Sequence, residues 1–183
     1  MLTLWPRKLI MEITIRRVTI DDVATLSRIA KQTFYDTFTG TCTEADMQSF
    51  LKEYFNEAQL LKELSDPDDH CFFAEVDGKP VGYIRFMEDY SSLPLMKQWK
   101  ALELKRIYLL KEFHGMGIAQ QLLDFMIGYA KKENYQAIWL GVWEYNLRAQ
   151  RFYEKYGFEN SGHKHDFPIG DTPQTDPWFW KFF

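Results

Sequence analysis

Cysteine is nearly missing from this chain. Cys42 and Cys71 are the only two among 183 residues, and neither sits in a C-x-x-C pair or a His/Cys metal spacing. They read as reduced thiols packed like small hydrophobes. Long apolar runs are missing too: none is as long as the roughly 20 residues a membrane span needs, so no membrane partner is expected. Basic charge is in short supply, with 22 Lys and Arg against 26 Asp and Glu and a net charge of −4. Non-specific nucleic-acid binding needs a net basic face, so no nucleic acid is expected as a partner. A small cation is compatible with that balance. Met1 to Ile10 lack the apolar stretch and small-residue cleavage site of a signal peptide. We expect residues 1–10 to be a loose extension, Met11 to be an alternative start, residues 11–183 to form one domain, and the location to be cytoplasmic.

Hydrophobic residues are plentiful at 46%, which excludes disorder, and 17% of the chain is aromatic. Ile13 and Ile15 alternate as in a strand. Asp21 or Asp22 then caps a helix with Val23, Leu26, Ile29, Ala30 and Phe34 on its apolar face. One further helical stretch is read from Thr43 to Leu64. Cys71–Val76 and Val81–Phe86 flank Asp77-Gly78 as a hairpin. Residues 88–100 read as a polar loop, Leu102–Leu110 as a strand, and Ile118, Leu122, Phe125, Met126 and Tyr129 as a helix face. Ala137–Trp143 is a nearly continuous apolar strand, expected to be buried on both faces. Asn146 caps a short helix that stops at Gly157. Two strand-like runs flank Gly170–Pro173, and the last, Trp178–Phe183, is expected inside the sheet. The fold class is α/β in a single domain.

The sharpest local feature is a strand, then His114-Gly115-Met116-Gly117-Ile118-Ala119, then a helix. Glycines at such a junction let backbone N–H groups approach an anion, and the helix N-terminus adds partial positive charge. A plain tight turn explains the same residues. A dinucleotide fingerprint is excluded because Gln120 stands where a third glycine is needed and the next strand ends Gly141-Val142-Trp143 without an acid. The Gly-Lys-Ser/Thr of a P-loop is absent.

Downstream lies Asn146-Leu147-Arg148-Ala149-Gln150-Arg151-Phe152-Tyr153-Glu154-Lys155-Tyr156-Gly157-Phe158. In this order the two segments resemble the GCN5-related N-acetyltransferase superfamily. There a [Gln/Arg]-x-x-Gly-x-[Gly/Ala] loop holds the pyrophosphate of acetyl-CoA and an Asn-x-x-Ala-x-x-Phe-Tyr helix follows. The resemblance implies a mixed, mostly antiparallel sheet of about seven strands flanked by helices, with a splay between two parallel central strands, Leu104–Leu110 and Ile138–Val142. It implies acetyl-CoA as co-substrate, held by Ile107, Tyr108 and Leu109 on the strand, by His114, Gly115, Met116, Gly117, Ile118 and Ala119 in the loop, and by Asn146 and Tyr153. His114 departs from the Arg or Gln usual at that position, though its ring N–H can still donate to a phosphate.

No Ser-His or Cys-His pairing suggests a covalent acyl-enzyme, so direct transfer in a ternary complex is expected. By resemblance Tyr153 protonates the departing thiolate, and Glu103 takes a proton from the attacking ammonium. Glu144 or a water chain are the alternatives for that base. Thr33–Phe38, Trp139–Asn146 and the tail His165–Asp176 look like the bacterial spermidine/spermine N-acetyltransferase branch. That implies a polyamine, with Asp36, Glu44, Asp46 and Glu88 as candidate ammonium partners and Phe34, Tyr35 and Phe38 beside the amine. A protein or peptide N-acetyltransferase, or a module that senses acyl-CoA without turnover, are the competing readings. His163 and His165 are two apart but lack a third ligand, so no metal is expected. The chain is expected to be a monomer or homodimer.

Overall fold

The structure is a computed structural model and describes residues 12–183. The expected extension of residues 1–10 and the alternative start at Met11 lie outside the described residues. One sheet runs in the order β1 (Ile13–Arg17), β2 (Asp69–Val76), β3 (Lys79–Met87), β4 (Ala101–Leu109), β5 (Ala137–Gly141), β7 (Thr175–Phe182), β6 (Glu159–Asp166). Every neighbouring pair is antiparallel except β4 with β5. The last strand, β7, is inserted between β5 and β6, which accounts for the terminal aromatics. The β2–β3 hairpin turns on Asp77 and Gly78, both at positive φ (49° and 75°), as a two-residue Asp-Gly turn requires.

Helices α4 (Ile118–Lys132) and α5 (Leu147–Lys155) cover one face, burying Leu122, Met126 and Tyr153 against Leu102, Leu104, Ile138 and Leu140. The opposite face carries α1 (Val23–Phe38), α2 (Glu44–Tyr54) and α3 (Glu57–Leu64), with Ile29, Phe34, Phe50 and Leu60 packed over Phe73 and Tyr83. Among the described residues no helix is long and apolar enough to cross a membrane.

Three local readings are corrected. The stretch from Thr43 to Leu64 is two helices, because Asn56 accepts from Gln59 N at 2.9 Å and donates to the Lys52 and Glu53 carbonyls, ending one helix and starting the next. Asp22 does not cap α1. Its carboxylate accepts from the N–H and hydroxyl of Thr19 and pairs with Arg16 at 2.8 Å. Residues 88–100 are not simply polar loop, since a 3-10 turn at Pro94–Gln98 buries Met96, and Leu93 beside it, against Trp139 and Trp178.

The feature that positions the site is the short ladder between β4 and β5. It has only the rungs Ala101–Ala137, Leu102–Ile138 and Glu103–Trp139. Beyond Glu103 the strands part, β4 staying on β3 as far as Leu109 and β5 on β7 as far as Gly141. This is the expected splay. Among the described residues it leaves one edge of β4 without a strand partner. A bulge in β4 sharpens the geometry: Arg85 pairs with Arg106 and Phe86 with Leu104, so Lys105 is the extra residue. Side-chain alternation therefore flips, with Leu104 and then Ile107 facing the α4 side while Tyr108 faces α1.

Candidate active site

The loop between β4 and α4 is shaped by Gly115 and Gly117, both at φ +80°. Left-handed geometry at both positions costs an L residue about 1–2 kcal/mol, which glycine avoids. Among the described residues no side chain caps α4, and its first internal bond runs from Gln121 N to the Gly117 carbonyl. The N–H groups of Ile118, Ala119 and Gln120 are thus available at the positive end of the helix, as an anion requires. His114 is occupied differently from expectation. Its Nε2 lies 3.0 Å from the Leu109 carbonyl, and Arg148 donates to Nδ1 at 3.3 Å. With both nitrogens in use, the ring ties the loop to β4, and Arg148 supplies the cation beside it.

Asn146 caps α5, its Oδ1 accepting from Ala149 N at 3.1 Å. Gln150 Nε2 donates to the carbonyls of Trp143 and Glu144, bracing the turn between β5 and α5. Tyr153 is only 6% exposed and packs on Phe152 and Phe158 at ring distances of 5.3 and 5.7 Å. Among the described residues its hydroxyl makes no hydrogen bond. Burial pushes that phenol well above the ordinary tyrosine range, so it stays protonated at neutral pH and is a donor.

Where β4 and β5 part, a cleft of about 390 Å³ opens. Its apolar walls are Phe34, Phe50, Tyr54, Phe55 and Phe167; its polar floor is Glu103, Lys105, Tyr108, His165 and Asp176. Gly141 lies in the floor, and a Cβ there would meet Trp178 at 2.9 Å and His165 at 3.3 Å. Glu103 is buried and 2.6 Å from Lys105, which also reaches Asp89 at 2.8 Å. Burial raises the Glu103 carboxyl, and the Lys105 charge opposes that rise. The His165 ring is stacked on Trp178 at 4.1 Å, and burial lowers its pKa. Below the walls a buried ionic network joins Glu63 to Arg106 (2.7 Å) and Arg85 (3.4 Å), and Arg85 to Asp69.

Of the expected amine neighbours, Phe34 lines the cleft. Tyr35 donates to Glu44 away from it, and Phe38 packs on the half-buried Trp143. The four candidate carboxylates lie elsewhere. Asp36 is near Lys111, Glu44 receives Tyr35, Glu88 receives Tyr90, and Asp46 ties α2 to the turn at Asp171 and Thr172. Among the described residues no three His, Cys, Asp or Glu gather as a metal site needs. A second groove of about 420 Å³, lined by Arg28, Lys31 and Lys52 between α1 and α2, contains none of the loop or Tyr153.

Residues 31–158 match the acetyltransferase (GNAT) family. This chain belongs to that family. A GNAT enzyme of this kind is an N-acetyltransferase with acetyl-CoA as co-substrate, and the loop, the open β4 edge and Asn146 fit that group. An uncharacterized N-acetyltransferase in the pepI 3' region of Lactobacillus delbrueckii subsp. lactis is 34% identical over 164 residues, 90% of this chain and 94% of that one. The spermidine N(1)-acetyltransferase of Thermoplasma acidophilum is 29% identical over 153 residues, 81% of this chain and 89% of that one. The crystal structure of PaiA N-acetyltransferase from Thermoplasma acidophilum in complex with coenzyme A superposes with a TM-score of 0.76 at 25% identity, covering 94% of this chain and all of that one.

Sequence reasoning did not find Arg148, the Tyr108 side chain, His165 in the cleft floor, or Asp176 as a cleft carboxylate. The available signal for the last was a lone acid in the aromatic-rich run Thr175–Phe183.

Proposed function

We propose that this GNAT enzyme transfers acetyl directly to a primary amine of a small polycation of the spermidine or spermine type. The observation that carries the reading is the cleft at the β4–β5 splay, where aromatic walls meet unequally matched carboxylates. Aromatic faces and carboxylates are the two surfaces that hold alkylammonium groups. The Thermoplasma acidophilum relative named for spermidine supports the same class.

In this reading acetyl-CoA supplies an activated acetyl group as a thioester. The N–H groups of Gly115, Met116, Gly117, Ile118 and Ala119 hold its pyrophosphate, with the His114–Arg148 pair closing the loop. The main-chain groups of Ile107, Tyr108 and Leu109 on the open edge of β4, and the Asn146 amide, hold its arm. Tyr153 gives a proton to the leaving sulfur. Glu103, its charge matched by Lys105, sits at the last rung of the ladder and contributes to holding the ammonium. Cys42 and Cys71 are free thiols, in keeping with a cytoplasmic enzyme.

The test is thiol release from acetyl-CoA with spermidine, spermine, a peptide N-terminus and an aminoglycoside. We expect kcat/KM for a polyamine to exceed the others by at least about tenfold, or ~1.4 kcal/mol. Preference for the peptide would make this a protein N-acetyltransferase. Coenzyme A binding with no release for any amine would favour a sensor.

A further inference from the structure

Asp176 lines the cleft and, among the described residues, pairs with no cation. It lies on β7 just past the point where β5 ends: Gly141 pairs with Trp178, Val142 N reaches the Pro177 carbonyl, and Glu144 N the Thr175 carbonyl. Its place is therefore beside the mouth of the splay. Its Oδ1 is buried and has no hydrogen-bond partner among the described residues. The charged and titratable groups facing it are Glu144 from the turn after β5, His165 directly across on β6, and Tyr108 from β4. Glu144 adds repulsion, and His165, whose pKa is lowered, is neutral near pH 7. Glu103, by contrast, already has Lys105.

A carboxylate oxygen buried without a partner is costly, and functional sites are where such groups concentrate. We infer that Asp176 is the proton acceptor for the amine, a role that rests on the N-acetyltransferase reading above. The carboxylate takes one proton from R–NH3+, leaving R–NH2 with a free electron pair. As the amine nitrogen bonds to the acetyl carbon and the carbon–sulfur bond breaks, Tyr153 protonates the thiolate. The second nitrogen proton restores the phenol. The proton on Asp176 leaves to solvent, so R–NH3+ and acetyl-S-CoA become R–NH-acetyl, CoA-SH and H+. Burial, with Glu144 adding to it, raises the Asp176 carboxyl to about 7, which suits a base working near neutrality.

The experiment compares wild type with D176N, D176A and E103Q, using the fastest amine of the panel. In wild type kcat/KM should rise with pH through an inflection near 7. D176N should lose about 100-fold or more at pH 7.5 and lose that inflection, with coenzyme A affinity unchanged. E103Q should keep the inflection. Independently of turnover, D176N should melt several degrees above wild type at pH 8 and level with it at pH 4, because the raised pKa penalises the wild-type fold only once the unfolded carboxyl ionises. D176A serves as the second variant should D176N fold poorly. An active wild type with an unaltered pH profile in D176N, loss of the inflection in E103Q alone, or loss of coenzyme A binding in D176N would overturn the assignment. A wild type that acetylates no amine would instead sink the reading it rests on.

Discussion

Arg148, in the first turn of α5, donates to His114 Nδ1 at 3.3 Å and so joins that helix to the glycine loop that opens α4. The bond puts a permanent cation where backbone N–H groups alone would face a pyrophosphate. R148A should weaken coenzyme A binding about tenfold by calorimetric titration, with the difference shrinking at high salt. Equal affinities would show that the guanidinium only braces the loop.

Tyr153 has a buried ring, and its hydroxyl has no hydrogen-bond partner among the described residues. Removing that oxygen costs the fold almost nothing but removes the donor. Y153F should therefore lower kcat by about 100-fold while shifting Tm by less than about 2 °C. Near-full turnover would reject the acid role.

Gly82 on β3 lies against the part of β4 assigned to the cofactor arm. A Cβ there would run into the Leu109 side chain and the Tyr108 carbonyl. Since backbone cannot swing aside, G82A should cost about 1–3 kcal/mol in denaturant melts and also weaken coenzyme A. A stable or unstable variant with unchanged affinity would move the arm off residues 107–109.

Glu63 is shared by Arg85 and Arg106, and the Arg106 guanidinium also lies 4.8 Å over the Phe55 ring. E63Q leaves two guanidiniums with only Asp69 between them, so stability should fall by about 3 kcal/mol. Because both arginines border the cleft, the amine KM should rise more than kcat falls. An unchanged Tm would mean the network is not anchoring α3.

The hydrogen bonds from Arg16, with those from Thr19, hold the Asp22 carboxyl down at about 2. The ordinary value is about 3.9, so the folded state binds this proton less tightly than the unfolded one. Its stabilisation is complete above about pH 4 and lost as pH falls through about 2. R16M should therefore melt below wild type at pH 5 and 7 and converge with it near pH 2. A constant gap across that range would assign the loss to packing.

What was legible in the sequence is what short-range rules determine. The Asp77-Gly78 hairpin, the left-handed Gly115 and Gly117 ahead of an apolar helix face, and the Asn146 cap each depend on neighbours within a few positions. The match of loop and Asn-capped helix was enough to reach the family. The split at Asn56 was local too, but the helical apolar spacing runs through it and masked the cap. The cleft is of another kind. The extra residue at Lys105 reverses alternation in β4, so Tyr108 shares the cleft with Glu103 although simple period-two counting puts them on opposite faces. Asp176 reaches the splay because β7 inserts beside β5, bringing together positions more than thirty residues apart. Pairing of distant strands decides which carboxylates lack a cation, and that is invisible in a linear pattern. Residue types and short motifs carry the family's chemistry, whereas the convergence of Glu103, Tyr108, His165 and Asp176 on one cleft comes from strand pairings that no local pattern encodes.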